Sequence, residues 1–390
     1  MPSTRSNPFA QSFRYKTEVY MELKDMITYP AVYAIGREYQ IISVFACEAL
    51  VWAEIGGEQF FDESNGIICS AKPVHKISVP AELLNENKEY KICYRRVIER
   101  KPYYTETEDI ETLSFAFRPV ENETIKIYHI SDAHNKVETP VAAGQFFGDE
   151  LDLLVLNGDI PNHSGDIKNF DAIHEIAGQI TKGAIPVIFS RGNHDMRGIF
   201  AESIAEYTPT DRGNSYFTFR LGDLWGIVLD CGEDKPDTSI EYGNTICCHA
   251  FRRRETRFIK DVIENAHREY LAPGVNKRIV ICHDPFTYTP PAPFDIEIEL
   301  FTEWARLIGE NIKPNFMLCG HKHVCEVSYP GSPRDNKGQP CPVIIGSNPH
   351  KHEEGPDRFD GCAIIYENDK VCVKFTDQDK NIIGEEIFDI

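Results

Sequence analysis

The fold is indicated most clearly by the stretch IPVIFSRGNHD, which occupies residues 185–195. Its first half is a compact apolar run typical of a buried strand. Its second half is a glycine-containing turn that ends in amide, imidazole and carboxylate side chains. Two earlier runs, 125–130 and 153–156, have the same design, and helix-length segments such as 167–182 separate the runs. Strands that alternate with helices predict an α/β core whose ligands bind at the carboxyl ends of the strands.

Polar residues follow five of the apolar runs, at the point where each run ends. They are Asp132 with His134, Asp159, Asn193 with His194 and Asp195, His283, and His321 with His323. Carboxylate, amide and imidazole groups are ligands for borderline divalent metals, and the neighbouring glycines allow sharp turns. Seven ligands drawn from these nine residues would suit two metal ions that share one carboxylate, an arrangement that can clamp a phosphoryl group.

The alternative for each fragment is a histidine or aspartate with an ordinary structural role. A single D-x-H pair carries little information, and G-H-x-H could mark a simple turn. The order of all five fragments, each after an apolar run, favours a metal site over scattered core residues.

Taken in chain order, the fragments resemble the motif series of the calcineurin-like metallophosphoesterase superfamily, over roughly residues 123–376. The motifs that carry the resemblance are Asp132-x-His134, Gly158-Asp159, Gly192-Asn193-His194-Asp195, His283 and Gly320-His321-x-His323. The resemblance implies a four-layer αββα sandwich with a dinuclear metal centre.

The resemblance also implies a role for each motif residue. Asp132, His134 and His323 would bind the first metal. Asn193, His283 and His321 would bind the second, and Asp159 would bridge the two. The catalytic residues would be His194, just outside the metals, and Asp195, which would orient it.

This centre predicts a metal-dependent phosphoesterase that hydrolyses a small phosphomonoester or phosphodiester by attack of a metal-bridging hydroxide. The cofactors are expected to be two divalent transition metal ions, and Mn, Fe, Zn, Co or Ni all suit mixed nitrogen and oxygen ligands.

A smaller domain ahead of such a catalytic domain is similar to the layout of purple acid phosphatases. The motifs of this chain differ from theirs at two positions. Asn162 stands where they carry a tyrosine ligand, and His134 stands where they have glycine.

Residues 15–120 show a different sequence pattern, in which short runs of alternating apolar and polar residues are separated by turn residues. This pattern predicts a smaller all-β sandwich that precedes the α/β domain. Leu84 and Tyr90 resemble the tyrosine corner of fibronectin type III and immunoglobulin-like domains. We therefore expect an N-terminal tail at 1–14, a fibronectin III-like sandwich at 15–120 and a metallophosphoesterase domain at 121–390.

Charge and composition limit the partners. The 390 residues include 41 lysines and arginines against 61 acidic residues, a formal charge of −20. Such a charge repels polyanions, so nucleic acid is not an expected partner, whereas a small phosphorylated substrate fits a metal centre. A nuclease of the same superfamily and an inert metal-binding scaffold are the alternative functions.

No apolar run is long enough to cross a membrane and no secretory signal is evident, so we expect a cytoplasmic protein without membrane contact. The oligomeric state is not predicted.

Four further residues lie close in sequence to the predicted ligands. Lys136, Arg191 and Arg197 could contact substrate phosphate, although a solvated loop cation is the more common outcome. His163 could point into the site or lie on the surface. The segment 230–251 lacks strand or helix periodicity, and long loops at such positions often shape substrate pockets.

Overall fold

The computed structural model describes residues 23–64, 66–351 and 355–390. The predicted tail at 1–14 lies outside these described residues. Two large mixed sheets dominate the structure, and strands and helices are numbered below in chain order.

The larger sheet has nine strands. Its centre consists of three parallel strands from the predicted α/β core: β11 (Ile125–Ile130), β12 (Leu153–Asn157) and β13 (Pro186–Ser190). On the β11 side the sheet continues with β20 (Asp360–Tyr366), β21 (Lys370–Asp377) and β22 (Ile382–Asp389). On the β13 side it continues with β1 (Ala31–Ile35), β2 (Glu38–Val44) and β7 (Val74–Pro80).

The second sheet has six strands. In spatial order they are β14 (Phe217–Leu221), β15 (Leu224–Leu229), β16 (Lys277–Cys282), β17 (Phe316–Cys319), β19 (Val343–Ile345) and β18 (Glu326–Ser328). The four strands β15, β16, β17 and β19 run parallel. Their carboxyl ends therefore lie along one edge of this sheet.

Alternating side chains build the four layers. Leu153 and Val155 of β12 pack between the two sheets, whereas Leu154 and Leu156 face helices on the outside. The outer helices of the nine-stranded sheet are α2 (Glu138–Gly144) and α3 (Asp171–Thr181). Those of the six-stranded sheet are α5 (Cys248–Glu264) and α6 (Ile298–Leu307), the latter continued by a π-helical turn at Ile308–Ile312. The mixed α/β architecture predicted for the core is confirmed.

The N-terminal segment differs from the separate sandwich that the sequence predicts. One of its sheets contains β10 (Glu111–Ala116), β8 (Glu89–Arg100), β3 (Ala49–Ile55) and β4 (Glu58–Phe61), with β9 (Thr105–Thr107) paired to β8. Strands β1, β2 and β7, however, extend the nine-stranded sheet, because β1 pairs in parallel with β13. The Tyr90 hydroxyl, predicted as a tyrosine corner, donates to the carbonyl of Gly183 beyond residue 120. The structure does not show the N-terminal segment as an independent unit.

The remaining elements are short. They are the hairpin of β5 (Glu63–Ser64) and β6 (Ile68–Cys69), helices α1 (Ala81–Asn87) and α4 (Ile204–Tyr207), and 3₁₀ turns at Gly148–Glu150, Ile167–Phe170, His194–Met196, Ala201–Ser203 and Ile240–Tyr242. Within the described residues, none of the helices combines the length and apolar character that crossing a membrane requires.

Helix α3 carries a buried histidine that makes the stability of the fold sensitive to pH. Neither ring nitrogen of His174 has a hydrogen-bond partner among the described residues, and burial lowers its pKa from 6.5 to about 4. As pH falls from 6.5 to 4 the unfolded chain binds a proton at His174 that the folded chain does not. The free energy of unfolding should therefore fall by about 3 kcal/mol through this group alone, and the loss from it should level off below pH 4.

Urea unfolding of metal-free wild type and His174→Leu at pH 7 and pH 4 measures this effect. The variant should lose about 3 kcal/mol less than wild type over this interval, since other acid-sensitive groups are common to both proteins. An identical loss in the two proteins would show that His174 does not titrate as described.

Candidate metal centre

The loops that carry the predicted ligands meet where the two sheets face each other. Strands β11, β12 and β13 end just before Asp132, Asp159 and Asn193, and strands β16 and β17 end before His283 and His321. Three groups of side chains bring their ligand atoms within 4.8 Å of one another: Asp132, His134 and His323; Asp159, His283 and His321; and His134, Asp159 and His194. Residues spread over nearly two hundred positions therefore gather at one place.

The first group has the spacing of atoms that share one cation. Nε2 of His323 lies 3.3 Å from Oδ1 of Asp132 and 3.2 Å from Nε2 of His134. Two ligand atoms about 2.1 Å from one tetrahedral metal lie about 3.4 Å apart. The separations in this group are close to that value.

The second group has similar spacing, and the predicted asparagine lies beside it. Oδ2 of Asp159 lies 3.3 Å from Nε2 of His283, and Oδ1 of Asn193 lies 3.0 Å from Nδ1 of His321. Because Asp159 also belongs to the group with His134, its carboxylate stands between the two sets of ligands. This position fits the bridging role predicted for it.

Backbone geometry marks the site as specialised. Asp132, His134, Asp159, His321 and His323 all have φ between 48° and 67°, a region that residues with a side chain rarely adopt. Such conformations persist where the surrounding structure enforces them, and they are concentrated at functional sites.

Two glycines allow the loops to approach closely. A Cβ added to Gly192 would lie 2.4 Å from Oδ1 of Asp159, and one added to Gly158 would lie 2.6 Å from the His283 ring. Any larger residue at either position would displace a predicted ligand.

The charges of the site favour a cation. Burial alone would lower the pKa of His283, but the carboxylates of Asp159 and Asp132 outweigh burial and raise it to about 10. Burial would likewise raise the pKa of Asp159, yet the surrounding imidazoles hold it well below its usual range. Burial lowers the pKa of His134 to about 3, so this ring is neutral and able to bind a metal.

Hydrogen bonds orient His283 so that one ring nitrogen faces the carboxylates, where a cation would displace its proton. Its Nδ1 donates to the carbonyl of Asn157 at 2.6 Å, while the buried Nε2 has no hydrogen-bond partner among the described residues and faces both carboxylates. Metal-binding histidines are commonly oriented by such a bond from the second ring nitrogen. The donor set and this buried nitrogen fit a divalent metal.

His194 is held differently from the sequence-based prediction. Its Nδ1 lies 2.7 Å from the carbonyl oxygen of Asn162, and the Asp195 carboxylate instead accepts from the backbone N–H of Gly192 at 2.6 Å. The Asp195 side chain points away from the His194 ring because both residues lie in the 3₁₀ turn at His194–Met196, where successive side chains point about 120° apart. Asp195 therefore orients the Gly192 loop rather than the His194 ring. Burial, followed by the charge of Asp159, raises the pKa of this carboxyl well above its usual range.

Two carboxylates near His321 were not singled out from the sequence. Asp234 Oδ2 and Asp284 Oδ1 lie 3.8 and 3.9 Å from its Nε2. Asp284 directly follows His283 at a strand end, so position could have indicated it. Asp234 lies in an aperiodic loop and belongs to no motif.

Of the four weaker predictions, only one touches the site. Arg197 contacts His194, whereas Arg191 pairs with Asp230 at 2.7 Å and Lys136 donates to the carbonyl of Pro349 at 2.9 Å. His163 is exposed and accepts a bond from the backbone of its own loop.

The segment 230–251 forms one wall of a cavity of about 770 Å³ beside Arg197. Tyr242, Ile246 and Phe251 line it, and its opposite wall is the turn that follows His194. A cavity of this size can enclose a small organic molecule. Its position agrees with the pocket-shaping role predicted for the segment.

Comparison with known proteins supports these observations. A family model described as calcineurin-like phosphoesterase matches residues 125–325, about half of the chain, and this segment includes every predicted ligand. No curated protein sequence matches the chain significantly. Among solved structures, the fold is similar to that of purple acid phosphatase PPD1 from yellow lupin (Lupinus luteus) seeds, with a TM-score of 0.59, 12% identity, and coverage of 93% of this chain and 74% of that chain. It is also similar to PhoD, with a TM-score of 0.53, 11% identity, and coverage of 94% and 90%. The chain belongs to the calcineurin-like phosphoesterase family.

Proposed function

We propose that the protein is a metal-dependent phosphoesterase that hydrolyses a small phosphomonoester or phosphodiester with two divalent transition metal ions. The observation that carries this proposal is the convergence of two buried carboxylates and four imidazoles, with separations near 3 Å between ligand atoms. An inert scaffold is the poorer account, because all seven predicted ligands are present and lie together.

Each side chain has an assigned role in this proposal. Asp132, His134 and His323 would hold one cation, and Asn193, His283 and His321 would hold the other. Asp159 would serve both cations. When bound, such a pair of cations activates water and neutralises the charge of a phosphoryl group.

His194 lies beside these ligands without belonging to either set. Its side chain is 24% exposed, and Nε2 lies 3.9 Å from Oδ2 of Asp159. It is thus placed to contact the phosphoryl group or the leaving oxygen of a bound ester, where an imidazole can assist departure of the alcohol.

An activity panel tests the proposal. The purified protein, loaded in turn with Mn, Fe, Zn, Co or Ni, is assayed on p-nitrophenyl phosphate and bis-p-nitrophenyl phosphate, with single- and double-stranded DNA in parallel. We expect turnover of at least one of the small esters and none of the nucleic acids, since a charge of −20 disfavours polyanions. Two bound metals with no turnover of any ester would support the scaffold, and cleavage of DNA would support the nuclease.

A further inference from the structure

The cavity of about 770 Å³ beside Arg197 is joined to the candidate metal centre at two places. At the first, Nη1 of Arg197, which lines the cavity, lies 3.2 Å from Nε2 of His194. At the second, the hydroxyl of Tyr242, also in the lining, donates to Oδ1 of Asp234 at 3.1 Å. Oδ2 of the same Asp234 lies 3.8 Å from Nε2 of His321. An ester that places its phosphoryl group at the centre can therefore extend its organic part into this cavity.

Close packing and hydrogen bonds fix the two walls of the cavity. One wall is held at Gly198, where an added Cβ would lie 2.2 Å from the backbone nitrogen of Gly165. The opposite wall is held by the buried side chain of Arg252, which donates to the backbone carbonyls of Cys231 and Glu233. Because the walls are formed before a ligand binds, the residues that line them select among ligands by size and polarity.

The positive charges on the inner surface of the cavity are neutralised by the protein itself. Arg191 pairs with Asp230 at 2.7 Å, and Arg197 pairs with Glu233 at 2.7 Å. Each of these two carboxylate side chains is only 1% exposed, so both arginines are already paired inside the protein. The other charged residues of the lining are all exposed to solvent: Glu202, Glu241 and Arg254. A charged group on the organic part of a substrate would therefore find no free counter-ion away from solvent.

The uncharged part of the lining favours an apolar ligand. Apolar and aromatic side chains form much of it: Met196, Ile199, Ile246 and Phe251. Both hydroxyl groups of the described lining are already donating, that of Tyr242 to Asp234 and that of Thr245 to the backbone carbonyl of Tyr242. A sugar or glycerol group would leave hydroxyls without partners here, which weakens binding, whereas a buried apolar ring would strengthen it.

We propose that this cavity binds the alcohol part of the substrate and selects a bulky, uncharged apolar group, with Ile246 and Phe251 as specificity-determining residues. The inference rests on the phosphoesterase function proposed above and names its substrate class, the phosphoesters of aromatic or other bulky apolar alcohols. It concerns recognition of the organic part of the ester and assigns these two residues no part in cleavage of the bond.

Benzyl phosphate and ethyl phosphate provide the direct comparison, because their leaving alcohols are similarly basic and differ mainly in apolar size. We expect kcat/KM of the wild type for benzyl phosphate to exceed that for ethyl phosphate about 30-fold, the effect of burying a ring in an apolar pocket. Glycerol 3-phosphate should be no better than ethyl phosphate. Equal values for benzyl and ethyl phosphate, or a preference for glycerol 3-phosphate, would overturn the proposed selection.

Variants of the lining locate this preference in the cavity. Ile246→Asp, which places a charge among apolar groups, should reduce the benzyl-to-ethyl ratio from about 30 to about 3. Phe251→Ala should reduce it about fivefold, and Ile246→Leu should preserve it. Ile240→Asp is the matched control, since Ile240 belongs to the same loop, is 98% exposed and lies outside the lining. A general loss of structure would lower both activities without changing their ratio, and an unchanged ratio in Ile246→Asp would overturn the proposal.

A binding measurement without turnover keeps this inference distinct from the proposed function. Metal-free protein is titrated with 2-naphthol, an uncharged aromatic alcohol without phosphate, and binding is followed by its fluorescence. We expect saturable binding to wild type and Ile240→Asp, and binding at least 10-fold weaker to Ile246→Asp. Such binding without hydrolysis of any ester would reject the phosphoesterase function alone. Absence of binding, or equal binding to wild type and Ile246→Asp, would overturn the cavity as the alcohol site even in an active enzyme.

Discussion

Removal of divalent metal from the purified protein is expected to lower the rate of p-nitrophenyl phosphate hydrolysis by about 1,000-fold or more, and its return is expected to restore the rate. This factor corresponds to about 4 kcal/mol of transition-state stabilisation, the scale on which a bound cation stabilises a developing phosphoryl charge. Buried Asp132 and Asp159 would otherwise present negative charge to a negative substrate. The same carboxylates that attract a cation would then repel the ester.

The measurement combines activity with metal content and stability. Protein dialysed against a chelator is analysed for bound metal, assayed, and then titrated with Mn, Zn, Fe, Co or Ni separately. Because a cation at this site binds only the folded chain, the free energy of unfolding should rise by about 2.7 kcal/mol when the metal concentration is 100 times Kd. The midpoint of thermal unfolding should therefore also rise with metal concentration. Full activity in a preparation with far less than one equivalent of metal would contradict the proposed function.

Substitution Asp159→Asn is expected to lower kcat/KM for the same ester by about 1,000-fold and to weaken both metals together. The amide keeps the size of the carboxylate, and its oxygen can still accept the backbone N–H of His194, which lies 2.8 Å from Oδ1. What changes is the charge shared between the two sets of ligands. His323→Gln removes a ligand of one set only, so it should release about one equivalent of metal and cost less activity.

Metal analysis and steady-state kinetics of the two variants check this difference. Asp149→Asn is the matched control, because it neutralises an exposed carboxylate in the 3₁₀ turn at Gly148–Glu150, outside the ligand groups. If Asp159→Asn fails to fold, His323→Gln still tests the assignment, since its ring is partly exposed. Retention of both metals and near-normal activity in Asp159→Asn would remove Asp159 from the centre.

The core of the fold and the convergence of the ligands could be predicted because both depend on local patterns. A compact apolar run predicts a buried strand, and parallel strands bring their carboxyl ends to one edge. Asp132, Asp159 and Asn193 each follow such a strand within two or three residues. Their proximity therefore follows from sequence order and sheet geometry.

The pairing of β1 with β13 could not be predicted in this way. Alternation in the N-terminal segment indicates strands, but any strand edge offers the same row of N–H and C=O groups. Which edge it meets depends on the packing of side chains distant in sequence, since Val32 pairs with Pro186. The hydrogen-bond partner of His194 depends similarly on turn geometry, and Asp234 lies in a loop without periodicity.

The pairing of β1 with β13 also has a consequence for biosynthesis. About 150 residues separate the two strands, so at roughly 5–20 residues per second the ribosome needs on the order of 8–30 s to deliver the second after the first. During that interval the nascent N-terminal strands carry an open edge, which is a template for unwanted association with other chains. Slow translation of the intervening segment, or a shortage of chaperones, would therefore reduce the yield of active protein. This reduction would be larger than the stability of the folded protein alone suggests.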